Sequence, residues 1–300
     1  MTQTNVLASA QVDGDKLAEA MRRVAPFMAM DEVRPGLTSL FIEADEGTVE
    51  ITACDGYRIA HVTLREMGFP DGEYILQGSG CKDFAQRHYG GQQVAIEVYE
   101  KTVKLGDVSI QRVEATYPDY RRVIPATVEV IHIIETKLWI KAIRKYGAER
   151  VGVVYSPEGC RMYFEAKDGE PLGFENVPTQ MFSGPKRKVA YRGEQLRRAL
   201  TSCGKSATIK LSEDATQPTL FEAENYWHLL APLANYFPKE VSFSTNERQL
   251  LSWAEETIQA VRKGEVPAKV IVGGGRLYVE LNESRSETEI LLETPELKEA

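Results

Sequence analysis

The sequence predicts an α+β fold built from repeated β-α-β-β-β units, and three observations lead there. Four segments carry apolar residues at helical spacing; most of the intervening chain falls into short alternating runs bounded by turn residues; and the two kinds recur in one fixed order.

The first unit begins near Asn5. Leu17, Ala18, Met21, Val24 and Ala25 space a helix over 14–28, and strands follow at GLTSLFIEA (36–44), TVEITAC (48–54) and YRIAHVTL (57–64). The second begins near Glu73, with a helix over 80–89 and strands at QVAIEVY (93–99), TVKLGD (102–107) and VSIQRVEA (108–115). The third begins near Val128, and Leu138, Trp139, Ala142 and Ile143 space its helix over 135–148. The fourth opens with RKVAYRG (187–193), places Leu196, Ala199 and Leu200 on a helix over 192–205, and ends in ATIKLS, PTLFEAE and YWHLLAPL (226–233). A fifth copy is expected in KEVSFST (239–245), a helix over 246–263, AKVIVG, RLYVELN and TEILLET. The repeat lies in the order of elements, not in residue identity.

With 300 residues and 43% hydrophobic content, the chain can bury two or more cores. The start MTQTNVLASAQVDGDK lacks a basic segment followed by an apolar one, and no run approaches the roughly 18 apolar residues of a membrane span, so a cytoplasmic location is expected. Cys54, Cys81, Cys160 and Cys203 lie far apart without a C-x-x-C pair, which predicts reduced side chains and neither a disulfide framework nor a zinc ribbon.

A net charge of −8 counts against nucleic-acid binding until its distribution is considered. The four helical segments carry +1, +1, +3 and +3, which leaves −16 for everything else. The basic charge sits on the helices; the segment 246–263, by contrast, has no net charge.

Between the second and third units runs Tyr-Pro-Asp-Tyr-Arg-Arg-Val-Ile-Pro (117–125). A proline near each end fixes φ and biases the preceding residue toward extended backbone, so a stiff, extended linker is expected. This stretch belongs to three that carry a family resemblance: RPGLTSLFIEADEGTVEITACDGYRIA (34–60), VKLGDVSIQRVEATYPDYRRVIP (103–125) and YWHLLAPL (226–233). A DGYR turn followed some sixty residues later by PDYRR resembles the bacterial DNA polymerase III beta subunit, the sliding clamp. Residues 1–125 resemble its middle domain and 126–234 its C-terminal domain; its usual first domain has no counterpart, and 235–300 form an extra segment of unassigned role.

The resemblance implies a DNA-clamp fold in which helices line the hole of a ring and antiparallel sheets form the outer wall. It implies a processivity factor, not an enzyme, with no cofactor and no metal. Duplex DNA would be met non-specifically, through its backbone, by Arg22, Arg23, Lys82, Arg87, Lys137, Lys141, Arg144, Lys145, Arg197, Arg198 and Lys205. The plainer reading of these is the solvated faces of amphipathic helices. The resemblance also implies a groove for peptides of DNA polymerases and the clamp loader. Its walls would be Leu37, Cys54, Gly56, Tyr57, Arg58 and Ile59, then Pro118, Arg122 and Val123, then Leu230, Ala231, Pro232 and Leu233. Here the plainer readings are a hairpin turn and a surface linker. The family's Met-Pro-Met-Arg ending stands here as Ala231-Pro232-Leu233-Ala234, without the flexible thioether and the cation. A ring of six domains needs three two-domain chains, so a homotrimer is expected.

Two other function classes compete: a clamp-derived regulator that binds proteins without encircling DNA, and a nucleotide-binding enzyme using ALTSCGKS (199–206). The second fits a loose phosphate-loop pattern in the wrong context, since that loop follows a strand and opens a helix, whereas here a helix precedes and a strand follows. Gly204 reads better as a helix C-cap beside Lys205. The glycines at 273–275 read as a hairpin turn. His61, His88, His132 and His228 have no ligand spacing, and Glu255-Glu256 reads as solvated charge.

Overall fold

A computed structural model describes residues 5–31, 33–214, 216–234 and 236–238, together with the backbone of three strands beyond them. The first unit is β1 (Ala8–Asp13), α1 (Gly14–Val24), β2 (Ser39–Asp45), β3 (Thr48–Cys54) and β4 (Arg58–Leu64). The second is β5 (Gly72–Gln77), α2 (Gly78–Ala85), β6 (Gln93–Val98), β7 (Thr102–Leu105) and β8 (Val108–Gln111). The third is β9 (Val130–Glu135), α3 (Thr136–Tyr146), β10 (Arg150–Ser156), β11 (Gly159–Glu165) and β12 (Pro171–Val177), with a short β13 (Met181–Ser183) after it. The fourth is β14 (Arg187–Arg192), α4 (Gly193–Cys203), β15 (Ser206–Leu211), β16 (Thr219–Ala223) and β17 (Tyr226–Leu230). Antiparallel β18 (Ala268–Gly273), β19 (Arg276–Leu281) and β20 (Leu292–Glu293) match three strands expected of the fifth copy, whereas its first strand and its helix at 246–263 lie outside the described residues.

The opening strand of each unit pairs with its partner unit's sheet, not with its own. Thus β1 joins β6-β7-β8 while β5 joins β2-β3-β4, and β9 and β14 exchange in the same way. Nothing in a single chain's periodicity reveals such an exchange. Each helix starts directly at the end of its strand, and glycine at the first helical position of α1, α2 and α4 permits this close turn: a Cβ at Gly193 would lie 2.1 Å from the Ala148 carbonyl oxygen. One face of every helix is apolar and buried on the sheets, as with Leu17, Met21 and Val24 of α1 and Trp139 and Ile143 of α3.

The two halves are fused edge to edge. β17 pairs antiparallel with β4, with Leu229 opposite Ile59 and Leu230 opposite Arg58, which makes one nine-stranded sheet, β13-β9-β15-β16-β17-β4-β3-β2-β5. On the helix side the same seam is closed by Arg23 of α1, which donates to the Ser202 carbonyl of α4 at 3.0 Å and lies 4.4 Å over the Tyr226 ring. With α1 against α2 and α3 against α4, the helices form one row, α2-α1-α4-α3. The linker departs from the extended form expected: Tyr120–Val123 is a 3-10 turn, because Tyr120 and Arg121 are drawn back onto the sheet by the Glu43 carboxylate. Its stiffness comes from anchoring.

Candidate functional site

The outer face of the β4–β17 seam carries an apolar cluster of Leu37, Phe41, Cys54, Ile59, Tyr117, Tyr120, Leu220 and Leu229. Alternation along the strands decides its membership: Ile59 and His61 of β4, and Trp227 and Leu229 of β17, face outward, and their neighbours face the helices. Phe41 stacks on Tyr117 at 4.8 Å and His61 on Trp227 at 4.6 Å, with Thr52 Oγ1 2.9 Å from His61 Nδ1. These stacked pairs add to the burial that holds the floor together.

The DGYR turn forms one wall. The Asp55 carboxylate accepts from the backbone N–H of both Tyr57 and Arg58 at 2.9 Å and from Arg58 Nε at 2.8 Å, and Gly56 takes φ +92°. That geometry throws Tyr57 outward, 69% exposed. Val33 (82%) and Val123 (44%) are exposed as well, and the Arg34 guanidinium lies beside Gly56. Pro118 is exposed, and exposed Arg122 pairs with Asp119 at 2.8 Å. The third wall leaves β17 past this turn: Ala231 N–H donates to the Tyr57 carbonyl at 3.0 Å, Leu233 N–H to the Ala190 carbonyl at 2.8 Å, and Ala231, Pro232 and Leu233 are half-buried.

Leu37, Cys54, Gly56, Tyr57, Ile59, Pro118, Arg122, Val123, Ala231, Pro232 and Leu233 therefore gather around one seam. Two expected wall residues are placed elsewhere. Leu230 sits in the helix-side core, fully buried, and Arg58 turns inward to Asp55 with its guanidinium 5.2 Å from the Phe27 ring. The cause is strand alternation, in which a shift of one residue exchanges faces. Leu229 occupies the place expected of Leu230. Phe41, Tyr117, Tyr120, Leu220 and Trp227 also belong to the floor or pack on it; the outward parity of β2, β16 and β17 is the signal that marks three of them.

On the helix row, the eleven expected basic residues divide. Arg22 bonds the Ala85 carbonyl and Glu19, Arg23 crosses the seam, Arg87 grips Asp107 and Asp83, and Lys145 pairs with Glu175. Arg197 and Arg198 share Glu194, whose carboxyl falls to about 2 chiefly through its bond to Arg197. Lys82, Lys137, Lys141, Arg144 and Lys205 are exposed and make no ion pair among the described residues. Four of these five lie on α3 or just after α4.

The competing chemistries find no matching geometry. Gly204 ends α4 at φ +83°, and Lys205 and Ser206 lead into β15, so this segment closes a helix and opens a strand, the reverse of a phosphate loop. All four cysteines are free and buried, and burial raises each thiol. Burial also holds His61 and His132 down at about 4 and His228 at about 3, neutral side chains of the core.

No protein-family model matches the chain. A beta sliding clamp homolog, GriR, of Streptomyces muensis is 25% identical over 146 residues, 45% of this chain and 38% of the relative, so the match spans well under half that protein's length. Among solved structures, the DNA polymerase sliding clamp of Bacillus subtilis superposes with a TM-score of 0.71 at 18% identity, covering 79% of this chain and 67% of that one. The Pseudomonas aeruginosa DnaN sliding clamp bound to griselimycin superposes equally well, with a TM-score of 0.71 at 17% identity, covering 78% and 67%. The fold is that of the sliding clamps.

Proposed function

From the fold it shares with the bacterial sliding clamps, we propose that this chain is a non-enzymatic, cytoplasmic clamp-like processivity protein that holds replication or repair proteins on duplex DNA. Residues 1–125 and 126–234 act as two clamp domains, with 235–300 as an added unit. Copies associate into a ring, a trimer by domain count. The observation that carries the reading is the β4–β17 seam, which bears a packed apolar cluster on one side and, on the other, a row of four helices whose Lys82, Lys137, Lys141 and Arg144 make no ion pair among the described residues. The exposed apolar rim beside this floor, Val33, Tyr57 and Val123, suits a short apolar peptide from a polymerase or clamp loader. The helix row suits phosphates, which it would contact without reading sequence.

Retention on DNA tests the reading. Protein bound to a closed circular duplex should survive gel filtration in high salt and be lost once the circle is cut, whereas loss from both forms would remove encirclement. The regulator reading has one observation in its favour, that six of the eleven basic side chains are already engaged within the protein. Peptide binding without any retention on circular DNA would select it.

A further inference from the structure

Beyond β17 the chain passes the DGYR turn and reaches the outer face of β12-β11-β10-β14. Most of that face is polar or charged, with Arg150, Ser156, Arg161, Glu165 and Lys188 pointing away from the helices. One rung of it differs. Ala190, Gly152 and Tyr163 stand opposite one another on β14, β10 and β11, and all three are buried. The chain itself covers them. Leu233 N–H donates to the Ala190 carbonyl at 2.8 Å, and Tyr236 N–H donates back to the Leu233 carbonyl at 3.3 Å. Phe237 then meets Tyr163 edge-on at 5.9 Å, with Lys188 Nζ 5.7 Å over its other contacts, and Pro238 is buried against Gly152. Alongside, the Tyr236 hydroxyl bonds the buried Glu165 carboxylate, and the Arg150 guanidinium that pairs with Glu165 lies 5.1 Å over the Tyr236 ring. Gly152 is what admits these residues. Its backbone lies outside the left-handed region, so an alanine fits the strand, yet a Cβ there would lie 2.6 Å from Pro238 Cδ and 2.9 Å from Phe237 Cζ.

We propose that Tyr236, Phe237 and Pro238 form a strap that fixes the third wall of the candidate groove, which makes Tyr236 and Phe237 positioning residues for a docked peptide. Ala231, Pro232 and Leu233 belong to no strand; two backbone bonds hold them, from Ala231 to Tyr57 and from Leu233 to Ala190. A segment held so sparsely frays unless its far end is tied down. The strap ties that end, three residues past Leu233, to a buried carboxylate and an aromatic ring. A wall already in place need not be ordered when a peptide arrives, so less of the binding free energy is lost. The role in docking rests on the groove proposed above; the anchoring of Leu233 does not.

In the full chain, Gly152→Ala should unseat the strap from a position outside the groove. Amide exchange over residues 231–233, followed by mass spectrometry, should speed by about tenfold or more while β3 and β16 keep their protection. Affinity for a polymerase-derived peptide should fall by about threefold or more. Phe237→Ala breaks the same contact from the other side should Gly152→Ala fail to fold, and Phe237→Leu, which keeps an apolar side chain on Tyr163, should restore most of both properties. Unchanged exchange at 231–233 in the variants that fold overturns the strap, and so does exchange that speeds equally across the whole sheet. Faster exchange confined to 231–233 with unchanged affinity overturns the role in docking. A parent protein that binds no such peptide removes the groove, and the exchange at Leu233 then still decides the anchoring.

Discussion

Ile59 of β4 stands directly opposite Leu229 of β17, and both side chains enter the outer apolar cluster. That single pairing makes the seam between the halves also the floor of the candidate groove, so a substitution in the floor and one at the rim should have different consequences.

At the rim, Tyr57→Ala removes an exposed side chain and should change stability by no more than about 0.5 kcal/mol. Affinity for a polymerase-derived peptide, read by fluorescence anisotropy, should fall by at least about tenfold, since exposed aromatic anchors dominate such interfaces. Leu233→Asp should act alike by charging the third wall. A dissociation constant unchanged in both variants would take these residues out of the groove.

Much of this was legible beforehand, and the misses have physical causes. Four helices and their strand partners follow from apolar spacing, and the repeat follows from their order. The exchange of β1 with β5, and of β9 with β14, is a tertiary event that local pattern cannot contain. The faces of Arg58 and Leu230 depended on register, where one residue reverses the outcome. The linker's turn depended on Glu43, some eighty residues upstream of Arg121. Which basic side chains are free depended on acids that meet them only in the folded protein, such as Asp107 at Arg87 and Glu175 at Lys145.

That division of the basic residues predicts unequal roles. Replacing Lys137, Lys141, Arg144 and Lys205 together by Ala should weaken DNA binding and reduce the slope of log affinity against log salt by up to about 3 to 4, as fewer counterions are released. Replacing Arg197 and Arg198 should change the slope less, because Glu194 already takes up part of their charge. Titrations of a duplex at several salt concentrations distinguish the two, and equal slopes throughout would remove the helix row as the DNA surface.

Acid should loosen the fold before it strips the surface. His61, His132 and His228 are buried and neutral, with values held by desolvation at about 4, 4 and 3. The unfolded chain binds their protons more readily, so their contribution is complete above the ordinary histidine value near 6.5 and is lost as pH falls from there toward 4. Each can cost at most roughly 1.4 kcal/mol per pH unit in that window. Urea midpoints measured between pH 7.5 and 4.5 should fall steadily. His228→Gln, even if less stable at pH 7.5, should show a shallower decline, and a parallel decline would exclude His228 as a contributor.

Gly193→Ala tests the close strand-to-helix turn that recurs through the repeat. Its Cβ would meet the Ala148 backbone at 2.1 Å, a contact that no side-chain rotation relieves. A loss of about 1 to 3 kcal/mol is expected, whereas Gly147→Ala, which meets nothing within 4 Å, is penalised by its φ of +56° alone. Denaturant titration of both variants checks the order, and a Gly193→Ala protein as stable as the parent would contradict the packing at this turn.

Assembly follows from which of the described strands have no strand beyond them among the described residues. β4 and β17 close the first and fourth units and pair with each other; β8 and β12 hold the same place in the second and third units, and there they end their sheets. Unpaired edges invite partners. If β12 of one copy meets β8 of the next as β17 meets β4 within a chain, the contact is head-to-tail, and such contacts form a closed ring only when the rotation per chain divides the circle. If the proposed ring holds six clamp domains, two from each chain, three chains close it, so native mass spectrometry of the full protein should give three times the 33.6 kDa chain mass. A chain ending at Asn235 separates the possibilities: trimers of both forms fit a tail that stays on the outer wall, and a full-length monomer that trimerises on truncation would mean the tail caps β12. A monomer in both would rule out the ring.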